Sequence, residues 1–227
     1  MSAPALERRG EVFVLTLGAG QNRFDRTRTD AIAAALDEVE AQAGRVALVT
    51  VGSDRFYSNG YDLDWLESID RDERRVFIAD YQSLLARMLL LGVATVAAIS
   101  GHAYGAGLLF ALAHDWRVMR EDRGFLCLPE VDVGIPLRRG MVALLESRLS
   151  RATLRDAVLT GEQYGGTVAA ERGLVDATAS ATEILDAACE RAALLAGKDR
   201  NTTTALKRSL YGEAAELLSG SRAGAPR

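Results

Sequence analysis

Histidine, cysteine and proline are scarce in this chain: two, two and four among 227 residues. Cys127 and Cys189 show no paired spacing, so no disulfide framework is expected and both thiols should be reduced. His102 and His114 form no His/Cys/Asp cluster with metal spacing and no Ser/His/Asp arrangement. A basic excess is also missing. Lys plus Arg number 27 against 31 Asp plus Glu, for a net charge of -4, which gives no field for nucleic acid. No apolar run reaches the length of a membrane span. The start, MSAPALERRG, has no hydrophobic signal core, and the final Ala225-Pro226-Arg227 is not a peroxisomal tripeptide. A cytoplasmic protein without membrane or nucleic-acid partners is the expectation.

What is present is apolar substance. Hydrophobic residues make up 48% of the chain, enough for one compact domain. Strands are expected over 11–17, 45–51, 95–99 and 116–119, each rich in Val, Leu or Ile. Helical spacing of apolar residues covers 26–42, 71–91, 106–113, 139–149, 153–159, 168–172 and 182–196. The alternation argues for an α/β fold with parallel strands. The last fifteen or so residues, rich in Gly, Ser and Ala, are expected to fray.

Three motifs carry chemistry. In the first, Val96-Ala97-Ala98-Ile99 ends in Ser100-Gly101, and a Gly105-Ala106-Gly107 turn then opens an apolar helix. That order leaves free N–H groups at a helix start, where negative charge is favoured. The turn lacks the Lys-Ser/Thr ending of a P-loop. The second motif, upstream, is Phe56-Tyr57-Ser58-Asn59-Gly60-Tyr61-Asp62-Leu63, another glycine turn between strand-like and helical runs. The third, downstream, is Phe125-Leu126-Cys127-Leu128-Pro129-Glu130-Val131-Asp132-Val133-Gly134-Ile135-Pro136. A carboxylate inside that apolar run should be partly desolvated, with its pKa raised toward the range useful for proton transfer.

Together, and in this order over residues 10–195, the motifs resemble those of the crotonase, or enoyl-CoA hydratase/isomerase, superfamily. The resemblance implies a spiral of ββα units with C-terminal helices that build an oligomer, a homotrimer or dimer of trimers. It divides the chain into a core over 1–195 and a helix and tail over 196–227, short for the family. The substrate implied is an acyl-CoA thioester, with CoA as part of the substrate and no separate cofactor. The catalytic residues implied are Glu130 as acid/base and the backbone N–H groups of Tyr61 and Ala106 as donors to a thioester enolate oxygen. Arg23, Ser58, Asn59, Gly60, Asp62, Leu63, Gly105, Gly107, Leu109, Ile135 and Pro136 fall at expected substrate-binding positions. Asp62 is also expected to cap its turn, Asp132 to be structural, and His102 to be a loop residue.

One departure decides the reaction expected. Family members that add water carry a second glutamate at the position of Leu109, and here Leu108 and Phe110 flank it. A single base cannot easily hold a water. It can lift a proton from carbon 2 of a 3-enoyl thioester and return it to carbon 4. The pattern around Glu130 looks most like the single-glutamate Δ3-Δ2 enoyl-CoA isomerases. A CoA-thioester hydrolase or lyase, or a non-catalytic acyl-CoA binder, remain the alternatives.

Overall fold

The computed structural model describes residues 2–220. Met1 and 221–227, including the terminal Ala-Pro-Arg, lie outside the described residues. The elements in chain order are β1 (Ala5–Arg9), β2 (Val12–Thr16), α1 (Arg26–Ala41), β3 (Ala47–Val51), β4 (Phe56–Ser58), α2 (Leu63–Ser68) and α3 (Arg71–Leu90). Then come β5 (Ala94–Ile99), β6 (His102–Tyr104), α4 (Ala106–Leu112), β7 (Trp116–Arg120), β8 (Leu126–Cys127) and α5 (Glu130–Val133). The chain closes with α6 (Arg139–Arg148), α7 (Arg151–Thr160), α8 (Gly166–Glu171), β9 (Ala177–Ala179), α9 (Ile184–Leu195) and α10 (Arg200–Ser219).

The strands form two sheets. Six pair in the order β1-β2-β3-β5-β7-β9, all neighbours parallel except β1 with β2. Three short strands pair in parallel as β4-β6-β8. Each β3–β4, β5–β6 and β7–β8 step therefore places one strand in the large sheet and the next in the small one. A helix then leads back to the large sheet. This is the spiral of ββα turns, and it stacks the three motif turns, which follow β4, β6 and β8.

Both faces of the large sheet are buried, which explains continuous apolar runs such as Ala47–Val51. Phe13, Leu15 and Leu48 enter the main core with α1, α3 and α4. Val12, Val14, Val49 and Val96 face Ile184, Ala188 and Ala192 of α9. The C-terminal helix differs from expectation. Residues 213–219 do not fray: they complete α10, which packs on α3 and α6 and puts Ala214, Ala215 and Leu218 into the main core. Its small residues permit close approach to α6, where the Gly140 α-carbon faces the Leu217–Leu218 backbone.

The apolar run from Phe125 to Ile135 is only partly covered: Val131, Val133 and Ile135 are each about half exposed (50%, 55% and 49%). Pro129 opens the single helical turn α5, and Gly134, in the left-handed region at φ 69°, ends it.

Candidate active site

The small sheet fixes the site. Parallel pairing of β4 with β6 and β6 with β8 brings the turns after Ser58, Tyr104 and Cys127 side by side. Gly105 N–H donates to the Cys127 carbonyl at 2.9 Å, tying the second turn to the third. Gly60, at φ +81°, would place a Cβ 3.5 Å from the Ala106 nitrogen, so the first and second turns are nearly in contact. Gly107 is tighter still: a Cβ there would sit 2.3 Å from the Ser58 carbonyl oxygen. Only glycine allows that approach.

A cavity of about 160 Å³ opens where the turns meet. Asn59, Gly60, Tyr61 and Leu63 line it from the first turn, and Gly105, Ala106 and Leu109 from the second. Glu130, Ile135 and Pro136 line it from the third. Neither the Tyr61 N–H nor the Ala106 N–H is taken by an acceptor among the described residues. Phe24, bridged to Tyr61, bonds the Gly60 carbonyl and the Asp62 N–H and leaves the amide between them free.

Glu130 is the only acidic side chain among the described residues lining the cavity. Its Oε1 lies over the second turn, 3.3 Å from where a Gly105 Cβ would stand. Its Oε2 is buried without a hydrogen-bond partner among the described residues. Burial, the largest cause, raises the Glu130 carboxyl above the usual carboxylate range, and a backbone hydrogen bond partly opposes it. Leu109, 1% exposed, presents hydrocarbon.

Four residues expected at substrate-binding positions do not line this cavity. Ser58 is fully buried; its Oγ donates to the Asn22 carbonyl and accepts the Gly60 N–H. Asp62 caps α2 by accepting the Trp65 N–H. Gly107 packs on Ser58. The Arg23 guanidinium faces Asp64 at 3.3 Å and Asp62 at 3.9 Å. Conversely, Ile78, Tyr104, Val133, Arg138 and Met141 line the cavity and were not singled out from the sequence. Ile78 lies on the expected helix α3, but only tertiary packing turns it inward.

The histidines stand apart. The His102 ring packs among Phe56, Tyr104 and Phe125 on the outer face of the small sheet, and its Nδ1 accepts the Phe125 N–H. It is a strand residue, not a loop residue. His114 is fully buried, bonded to Thr50 Oγ1 through Nε2. Asp132 lies against Gly161 at the end of α7, away from the cavity. No group of three or more His, Cys, Asp or Glu side chains able to hold a metal occurs among the described residues. No helix there is long and apolar enough to cross a membrane.

The sequence profile of the enoyl-CoA hydratase/isomerase family matches residues 7–223. The chain belongs to that family. Enoyl-CoA delta isomerase 3 of Arabidopsis thaliana is 34% identical, over 94% of each chain. The Arabidopsis peroxisomal enoyl-CoA delta isomerase 2 is 32% identical over the same shares. A crystal structure of a probable enoyl-CoA hydratase from Mycobacterium tuberculosis superposes with a TM-score of 0.90. It is 23% identical, over 97% of this chain and 93% of that one, a likeness of fold. The spiral of ββα turns is thus the enoyl-CoA hydratase/isomerase fold, and its three stacked turns form the cavity described.

Proposed function

We propose that the protein is an enoyl-CoA isomerase that moves a double bond from carbon 3 to carbon 2 of an unsaturated acyl-CoA. The observation that carries this reading is the lone half-buried carboxyl of Glu130 on a mainly apolar wall, beside two free amides. Glu130 takes a proton from carbon 2. The Tyr61 and Ala106 N–H groups form an oxyanion hole for the resulting enolate oxygen. Glu130 then returns the proton to carbon 4: the C3–C4 π pair forms the new C4–H bond, and the pair left by the C2–H bond becomes the C2–C3 double bond as the thioester carbonyl is restored. A neutral apolar wall at Leu109 leaves no second group to activate water, which favours proton return over addition. The CoA moiety belongs to the substrate, and a proton shift of this kind requires no separate cofactor.

The relatives named enoyl-CoA delta isomerase support the same chemistry. Fatty-acid degradation is the setting that supplies 3-enoyl thioesters, and a cytoplasmic location fits the reduced thiols Cys127 and Cys189. Self-association as a trimer is supported by the exposed Leu194, Leu206 and Leu210 (76%, 58% and 68%). Leu206 and Leu210 line an apolar cleft between α9 and α10. That cleft is larger than the site cavity, but its one carboxylate, Asp115, is held by Lys207 at 2.6 Å.

The test is incubation with a 3-enoyl-CoA while following conjugated enoyl-thioester absorbance, with a thiol reagent present in a parallel sample. Absorbance should rise without thiol release, and Glu130→Gln should abolish it. Thiol release in place of conjugation would identify a hydrolase instead.

A further inference from the structure

The Tyr61 side chain has a role that its backbone amide does not account for. Its hydroxyl and Glu130 Oε2 are both buried, and neither has a hydrogen-bond partner among the described residues. The other buried, unpartnered side-chain atoms belong to Asn22, Arg74, Gln82 and Tyr164, and none of those residues lines the cavity. Two residues that line one cavity thus carry an unused donor and an unused acceptor. The Tyr61 ring is fixed edge-on between Phe77 and Tyr81, with centroids 5.9 Å and 5.0 Å away, so its hydroxyl is directed by packing. It lies within electrostatic reach of the Glu130 carboxylate and the Arg138 guanidinium.

We propose that Tyr61 is a positioning residue for Glu130: with acyl thioester in the cavity, its hydroxyl donates to Oε2. Oε1, over the Gly105 turn, is then the oxygen that moves the proton. The C2–H bond breaks as Oε1–H forms, Oε1–H breaks as C4–H forms, and the phenolic O–H stays intact. Hydrogen bonds that are long in a free enzyme commonly tighten in the substrate complex. The inference rests on the reading of Glu130 as the base.

Three of the other groups near Glu130 face elsewhere. The Tyr81 hydroxyl donates to the Ala106 carbonyl, and Cys127 Sγ to the Gly161 carbonyl. Asp132, on the same helix, turns to Gly161. Arg138 acts on the Tyr61 hydroxyl and favours its ionised form. A donor to the charged carboxylate lowers its pKa, so removing that donor raises it further.

Tyr61→Phe keeps the ring and the backbone amide. Its kcat should fall about tenfold with KM changed less than twofold. The acid limb of its kcat profile, which reports the substrate complex, should move to higher pH by roughly half a unit or more. A profile superimposed on that of the parent enzyme overturns the proposal. Should the variant not fold, a crystal structure of the unaltered enzyme with a saturated acyl-CoA decides. Tyr61 Oη within about 3.2 Å of the Glu130 carboxyl supports the proposal, and a longer separation overturns it. Activity retained in Glu130→Gln would sink the underlying reading. An inactive Glu130→Gln beside an unshifted Tyr61→Phe profile would sink only the role of Tyr61.

Discussion

Two clusters of buried titratable groups lie on opposite sides of helix α4, and they are finished differently. At its N-terminal end Glu130 and Tyr61 each keep a buried oxygen without a protein partner. Beyond its C-terminal end His114, Thr50, Tyr57, Asp115 and Lys207 all have partners, in two networks. Thr50 Oγ1 bonds Tyr57 Oη at 2.7 Å and His114 Nε2 at 2.9 Å. Lys207 Nζ reaches Asp115 at 2.6 Å and the carbonyls of Leu91 and Val93 at 2.7 Å and 2.9 Å. Native interiors satisfy nearly all buried polar groups, because a missing partner costs the desolvation of the group outright. The completed cluster is tied into the fold, and the incomplete one is where, in the function proposed above, acyl thioester would complete the set.

The comparison can be broken at either cluster. The largest effect is expected at Glu130→Gln, where conjugation of a 3-enoyl-CoA should slow by about 10³-fold, measured as kcat. An effect below tenfold would place the base elsewhere. At the completed cluster, Lys207→Met leaves Asp115 without its cation. It should destabilise the protein by about 3 kcal/mol in urea unfolding, with kcat per folded molecule unchanged.

A third expectation concerns acid. Burial, the largest cause, pushes His114 down to about 3. The unfolded chain then binds the extra proton between pH 6.5 and about 3, so stability falls as pH drops through that window. The slope of unfolding free energy against pH should be shallower in His114→Gln. Equal slopes would mean that this ring titrates normally in the fold.

The smallest effect sharpens the contrast. Glu130 has its pKa raised in the folded state. Folded protein then binds more protons than unfolded between the ordinary and the raised values, and stability declines as pH rises through that interval. Above it, Glu130→Gln should melt about 2 °C higher than the parent enzyme, stabilised as it is inactivated.

The long elements were legible because their residues repeat a physical demand. The run Ala-Leu-Val-Thr-Val of β3, buried at every position, reflects burial of both sheet faces. The Ile32 and Leu36 spacing announces α1, which the structure shows capped by Asp25 accepting the Arg28 N–H. Elements set by context were not legible. β1 is mostly exposed and polar, and its pairing with β2 alone makes it a strand. α5 is a single turn fixed by Pro129 and Gly134. α10 carries glycine and serine but gains its stability from α3 and α6. At the site, Glu130, Tyr61 and Ala106 come together where their motifs implied. Ser58, Asp62 and Gly107 matched the same motifs for scaffolding reasons, and sequence order cannot distinguish a wall from its backing.

The near-contact of Gly107 with the Ser58 carbonyl has an evolutionary reading. The spacing of the two amides is set main chain against main chain, so it survives replacement of almost every neighbouring side chain. Residues around the cleft are then free to change without moving the two amides, which in the proposed function would hold a developing negative charge whatever acyl group is bound.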